Sequence, residues 1–248
     1  MKKIVILIVL IISGTLLKAS NDKVIYVDDH IPDSFHQVIK RAIDRYEFFF
    51  GLVSDTFGIK VDDLPRNILA KTDIKNIISI DRNFLKRVSI IEFYDCIKHE
   101  LYHTNTSQHK YFDSIYIRYD SVQFIGSYGL TLILVSKERR VLLEQLNEGC
   151  AEVCMFYIDS VYRTSETKFY YAYATIVRSF ITSGWINVHQ IMEYNKNSDL
   201  LGFCNQILGR QASMEEINVL FGYFTELTSY QQIQVCINGI KYLRENKL

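Results

Sequence analysis

Hydrophobic and polar positions follow two different periods along this chain. "KVIYVDD" near residue 23 and "KNIISID" at residues 75–81 are short β-branched runs, and both predict strands. Residues 33–57 repeat apolar positions at helical spacing after Pro32, which predicts one long helix ending near Gly58. Ser89 and Glu92 have the S-x-x-E spacing of a capping box, so a helix starts at about residue 90. Residues 111–119 are aromatic and alternating, which favours extended chain. A long helical pattern runs from Ser136 to Ser160. Further helices are expected at about 166–182, 187–194, 198–208, 214–228 and 230–244, with Ser213 and Glu216 capping the fourth. The predicted fold is α+β and mostly helical, a small N-terminal β-containing part followed by a helical C-terminal part.

Composition narrows the class. The chain has 248 residues, 28 basic and 28 acidic. That balance gives no electrostatic case for nucleic acid or for an anionic membrane surface. Isoleucine and aromatic residues are plentiful and there are two prolines, so a packed core is expected. The first residues, "MKKIVILIVLIISGTLLKASND", carry Lys2 and Lys3, an apolar stretch from Ile4 to Leu17, and small residues at Ala19 and Ser20. This is the outline of a secretory signal peptide over residues 1–20, with an uncleaved membrane anchor as the alternative. Residues 21–248 then make a single domain, with room for two lobes. A secreted or periplasmic location follows, with membrane attachment expected only for the uncleaved form. The five cysteines cannot all pair within one chain, and buried thiols are favoured over bridges.

The chemistry concentrates in "DCIKHELYHTNTSQH", residues 95–109. On a helical wheel Ile90, Phe93, Tyr94, Ile97 and Leu101 form an apolar stripe, and His99 and His103 fall on the opposite side with Glu92, Asp95 and Cys96. Two imidazoles one turn apart can share one zinc ion, and the adjacent Glu100, about 100° round the helix, can reach a water on that ion. Zinc lowers the pKa of such a water to near 7 and polarises a carbonyl, while the glutamate takes and later returns the proton. The plainer reading is a solvated histidine pair, but that reading has no need of Glu100 between them.

Two residues compete to complete the ligand set. His109 has the third-histidine spacing of the metzincin pattern, with Met155 and Met192 downstream, yet Thr106 occupies the position where that pattern uses glycine to turn the chain. The other is Glu148 in "LNEGCAE", residues 146–152. Glu148 and Glu152 share one helix face, opposite Leu142, Leu143, Leu146, Cys150, Val153, Cys154 and Tyr157. The plain alternative for that carboxylate pair is a solvated face.

"HELYH" followed by "LNEGCAE" resembles the gluzincin metallopeptidases, the thermolysin-like and M1 aminopeptidase-like type. The resemblance covers these two short segments. It implies a zincin active-site helix, Zn2+ held by His99, His103 and Glu148, Glu100 as catalytic base, and Glu152 beside a ligand imidazole. The interval between the motifs is longer than in those aminopeptidases, and "SVQFIGSYGLTLILVSKERR" within it is read as an added helix. No G-x-M-E-N element precedes the motif, so endopeptidase action on a peptide or protein is preferred. The metzincin-like alternative keeps His109. A non-catalytic cell-envelope binding protein on a peptidase scaffold is the rival from another class. Tyr170, Tyr171, Tyr173 and His189 are candidates to stabilise an oxyanion. Asp95 is a candidate to orient His99 or a plain solvated acid, and "IISID" is a candidate edge strand for pairing with extended peptide or equally a central strand of the sheet.

Overall fold

A computed structural model describes residues 14–18, 24–51, 56–73, 76–105, 110–111, 123–135, 139–159, 168–222 and 227–246. The fold is α+β and mostly helical. It has two compact units, Met1–Asn105 and Thr106–Leu248.

The first unit is built on a mixed five-stranded sheet in the order β1-β2-β3-β5-β4. These strands are β1 (Gly14–Lys18), β2 (Val24–Asp28), β3 (Thr56–Asp62), β4 (Ala70–Thr72) and β5 (Ile77–Asp81). β1 lies within the segment read as a signal peptide and pairs antiparallel with β2; the rest of residues 1–20 lies outside the described residues. β2, β3 and β5 run parallel, and the first two are joined by α1 (Asp33–Phe50). Phe35, Val38, Ile39, Ala42, Ile43 and Tyr46 recur at helical spacing and are buried. The helix stops earlier than the sequence pattern suggested. Gly51, at φ 80°, ends it with its N–H bonded to Glu47 O, and Phe57, Ile59 and Val61 then alternate as β3 requires. Gly58 is therefore a strand residue. β5, the "IISID" run, is interior, between β3 and β4.

Short α2 (Arg82–Leu85) is capped by Asp81, whose side chain accepts from Phe84 N. Next comes α3 (Ile90–Thr104), the motif helix. The predicted capping box is present: Ser89 Oγ accepts from Glu92 N at 3.2 Å, and Glu92 Oε2 accepts from Ser89 N at 2.9 Å. Phe93, Ile97 and Leu101 are fully buried, while Ile90 at the helix start is 57% exposed. α3 packs on α1, where Phe35 and Phe93 have ring centroids 4.3 Å apart.

The second unit opens with a four-stranded antiparallel meander: β6 (Lys110–Tyr111), β7 (Gln123–Tyr128), β8 (Thr131–Val135) and β9 (Arg139–Leu142). The expected added helix is absent from the described part of this interval, which forms strands instead. Gly129, at φ 58°, turns β7 into β8 and splits two apolar runs into a hairpin. β9 also shortens the next helix, α4, to Glu144–Asp159, because residues 139–142 pair with β8. Leu143 follows at φ 64° and is buried. Of the extended prediction for 111–119, Tyr111 is in β6 and the remainder lies outside the described residues.

The other helices are α5 (Lys168–Thr182), α6 (Val188–Lys196), α7 (Leu200–Leu208), α8 (Met214–Phe221) and α9 (Ser229–Glu245). Capping boxes at Asn187/Gln190 and Thr228/Gln231 start α6 and α9. Ser213 and Glu216 bond reciprocally at the start of α8. The core joins Leu146, Val153, Ile176, Phe180, Phe203 and Phe221. Cys150, Cys154, Cys204 and Cys236 are buried free thiols. Among the described residues, no helix is long and apolar enough to cross a membrane.

Candidate metal centre

The motif histidines sit on the last turns of α3. Both are half-buried, and their Nε2 atoms are 3.3 Å apart. Two nitrogens bound to one tetrahedral zinc at 2.0–2.1 Å would lie about 3.3–3.4 Å apart. That spacing is one that a shared ion or a direct N–H···N hydrogen bond would give. Their backs are fixed by the buried Ile97, Leu101 and Tyr102.

Glu100 is 6% exposed. Its Oε2 accepts a hydrogen bond from Thr72 Oγ1 at 2.7 Å. Thr72 is on β4, so the sheet edge, and not the helix alone, sets the glutamate's orientation. Nothing in the sequence around "LAKTD" signals this contact, because a three-residue strand is too short to show a period.

Asp95 holds the buried Lys98 ammonium at 3.1 Å, and Lys98 also lies 4.5 Å from the Tyr94 ring centroid. Burial pushes the Cys96 thiol well above its ordinary pKa, and the carboxylates of Glu100 and Asp95 push the same way.

Glu148 lies on α4, half-buried, between the buried Asn147 and Gly149. Gly149 has a packing reason. A Cβ there would come within 2.6 Å of Tyr173 Cβ and 2.7 Å of its carbonyl carbon, so α5 can approach α4 closely only across a glycine. One turn on, Glu152 acts on Arg178 of α5: burial lowers the pKa of that guanidinium, and Glu152 opposes the shift. The α4–α5 contact thus gives Glu152 a cationic neighbour that the sequence reading missed.

Thr106 and His109 lie outside the described residues. Tyr173 is buried and its hydroxyl donates to Gly222 O at 3.0 Å, a packing role. Tyr171 and His189 are exposed, and Tyr170 is in the first turn of α5. Met155 and Met192 are buried. Comparison with known proteins gives no match among family models, curated sequences or solved structures.

Proposed function

We propose that the chain is an exported zinc metallopeptidase of gluzincin type, with His99, His103 and Glu148 as ligands and Glu100 as base and then acid. The observation that carries this reading is the 3.3 Å separation of the two Nε2 atoms, with the buried Glu100 between them in sequence. The donor set agrees in kind. Two imidazoles half-buried on α3 and a carboxylate half-buried on α4 are the ligand types a catalytic zinc uses, and three protein ligands leave such a zinc its fourth position. When bound, zinc supplies an acidified water and a polarised peptide carbonyl. Glu100 accepts the attacking water's proton and passes it to the leaving amine. Export rests on the basic and apolar N-terminal residues, and peptide or protein is the substrate class.

Metal content decides the ligand set. Wild type and His109→Ala are expected to hold one zinc per chain, and Glu148→Ala to lose it. Zinc kept by Glu148→Ala but lost by His109→Ala sinks the gluzincin set and installs the metzincin one.

A further inference from the structure

Thr72 stands outside every motif, yet it contacts the most buried carboxylate of the motif helix. We propose that Thr72 is a positioning residue for Glu100, fixing one carboxylate oxygen so that the other faces the reacting water. The inference rests on the zinc-peptidase reading above.

The hydroxyl has one hydrogen and two acceptors in reach. Glu100 Oε2 is at 2.7 Å and Glu100 O at 3.2 Å. The shorter contact is in the range of a charge-assisted O–H···O⁻ bond, and the longer is at the weak limit, so the hydrogen belongs to the carboxylate. Among the described residues, this hydroxyl is the hydrogen-bond donor to the Glu100 side chain. A glutamate has three rotatable bonds, and the helix fixes none of them beyond the first. One strong bond at Oε2 sets the carboxylate plane and leaves Oε1 for proton transfer.

The strand is built to hold that hydroxyl still. β4 pairs antiparallel with interior β5, with Thr72 opposite Ile78 and Ala70 opposite Ile80. Alternation puts Ala70 and Thr72 on one side, both half-buried, and Lys71 on the other, exposed. Just past Thr72 the hairpin is clamped. Asp73 N donates to Ile77 O at 3.0 Å, and Asp73 Oδ1 accepts from Ile77 N at 3.0 Å. β4 packs directly on α3.

The test uses the zinc-loaded full chain with Thr72→Val and Thr72→Ser. The probe is a fluorogenic peptide built on a casein site that wild type cuts. Thr72→Val keeps the shape but loses the donor, so kcat is expected to fall about 10- to 100-fold with KM within about twofold and zinc content unchanged. Thr72→Ser restores the donor and kcat returns to within about threefold of wild type. A Thr72→Val enzyme with wild-type kcat, a loss in KM alone, or a Thr72→Ser enzyme as slow as Thr72→Val overturns the role. A second readout needs no catalysis. In EDTA-stripped protein, Thr72→Val lowers the urea midpoint, and the shift shrinks to less than about half in a Glu100→Ala background. Equal shifts in both backgrounds overturn the hydrogen bond. Wild type that holds no zinc and cuts no casein overturns the peptidase reading and the catalytic role with it, while the urea comparison still decides the bond.

Discussion

Two histidines one turn apart can sit on any solvated helix face; here their Nε2 atoms meet at 3.3 Å. Left as a neutral pair, one ring must donate to the other, which orders two side chains for a single weak bond. A shared ion orders both rings for two strong bonds. Glu100 belongs to neither bond, so its removal separates chemistry from binding. Glu100→Gln is expected to keep zinc and lose hydrolysis by about 10²- to 10⁴-fold. Zinc analysis and casein cleavage on the same preparation check it, and surviving hydrolysis removes the role of Glu100. His103→Ala should lose both zinc and hydrolysis.

Elements hold these residues by means that differ in how visible they are in sequence. The Ser89/Glu92, Ser213/Glu216 and Thr228/Gln231 boxes are local, and two of the three are plain in the sequence reading. Ser89→Ala should cost about 1 kcal/mol, seen as a Tm drop of roughly 2–4 °C, with zinc content intact because the histidines sit at the other end of α3. Gly149 is different. Its sequence context suggests a motif glycine, but its reason is the α5 backbone 2.7 Å from where a Cβ would sit. Gly149→Ala gains about 1 kcal/mol of helix propensity. That gain loses to an overlap with backbone atoms that cannot swing away, for a net loss of about 1–3 kcal/mol. A thermal melt that rises instead would show that α4 and α5 are not in close contact there.

Glu216 gives the second unit an acid-sensitive cap. The Arg210 guanidinium beside it, followed by bonds from Ser213, holds its carboxyl at about 2. A lowered folded pKa means stability that is present above the unfolded value and is lost as pH falls through the folded one. The affected window is thus from about pH 4.5 down to about 2. Glu216→Gln should be less stable than wild type at pH 7, and the two should converge as pH nears 2. A gap that stays constant across that window excludes the Arg210 pair as its source.

At the scale of the whole molecule, fold class and helix order were legible because burial imposes a period wherever an element is long. The misreadings fall where that period is short or shared. A helix pattern ran on past Gly51 into β3, and another began at Ser136 although residues 139–142 are β9. β4, three residues long, left no trace, and Thr72 was lost with it. Local spacing revealed the histidine pair and its glutamate, whereas the choice of Glu148 over His109 rested on its helix face, on Thr106 in the rival's glycine position and on resemblance. Zinc linkage tests that choice on the folded chain as a whole. A ligand that binds only the native state stabilises it by about 2.7 kcal/mol at a hundred times its Kd, or roughly 5–10 °C in Tm for a chain of this size. Wild type and Glu100→Gln should both gain that shift on adding zinc after EDTA treatment, since both keep the three proposed ligands. Glu148→Ala should gain little, because two histidines alone bind the ion weakly. If Glu148→Ala gains as much as wild type, the carboxylate is not a ligand, whatever the activity assays say.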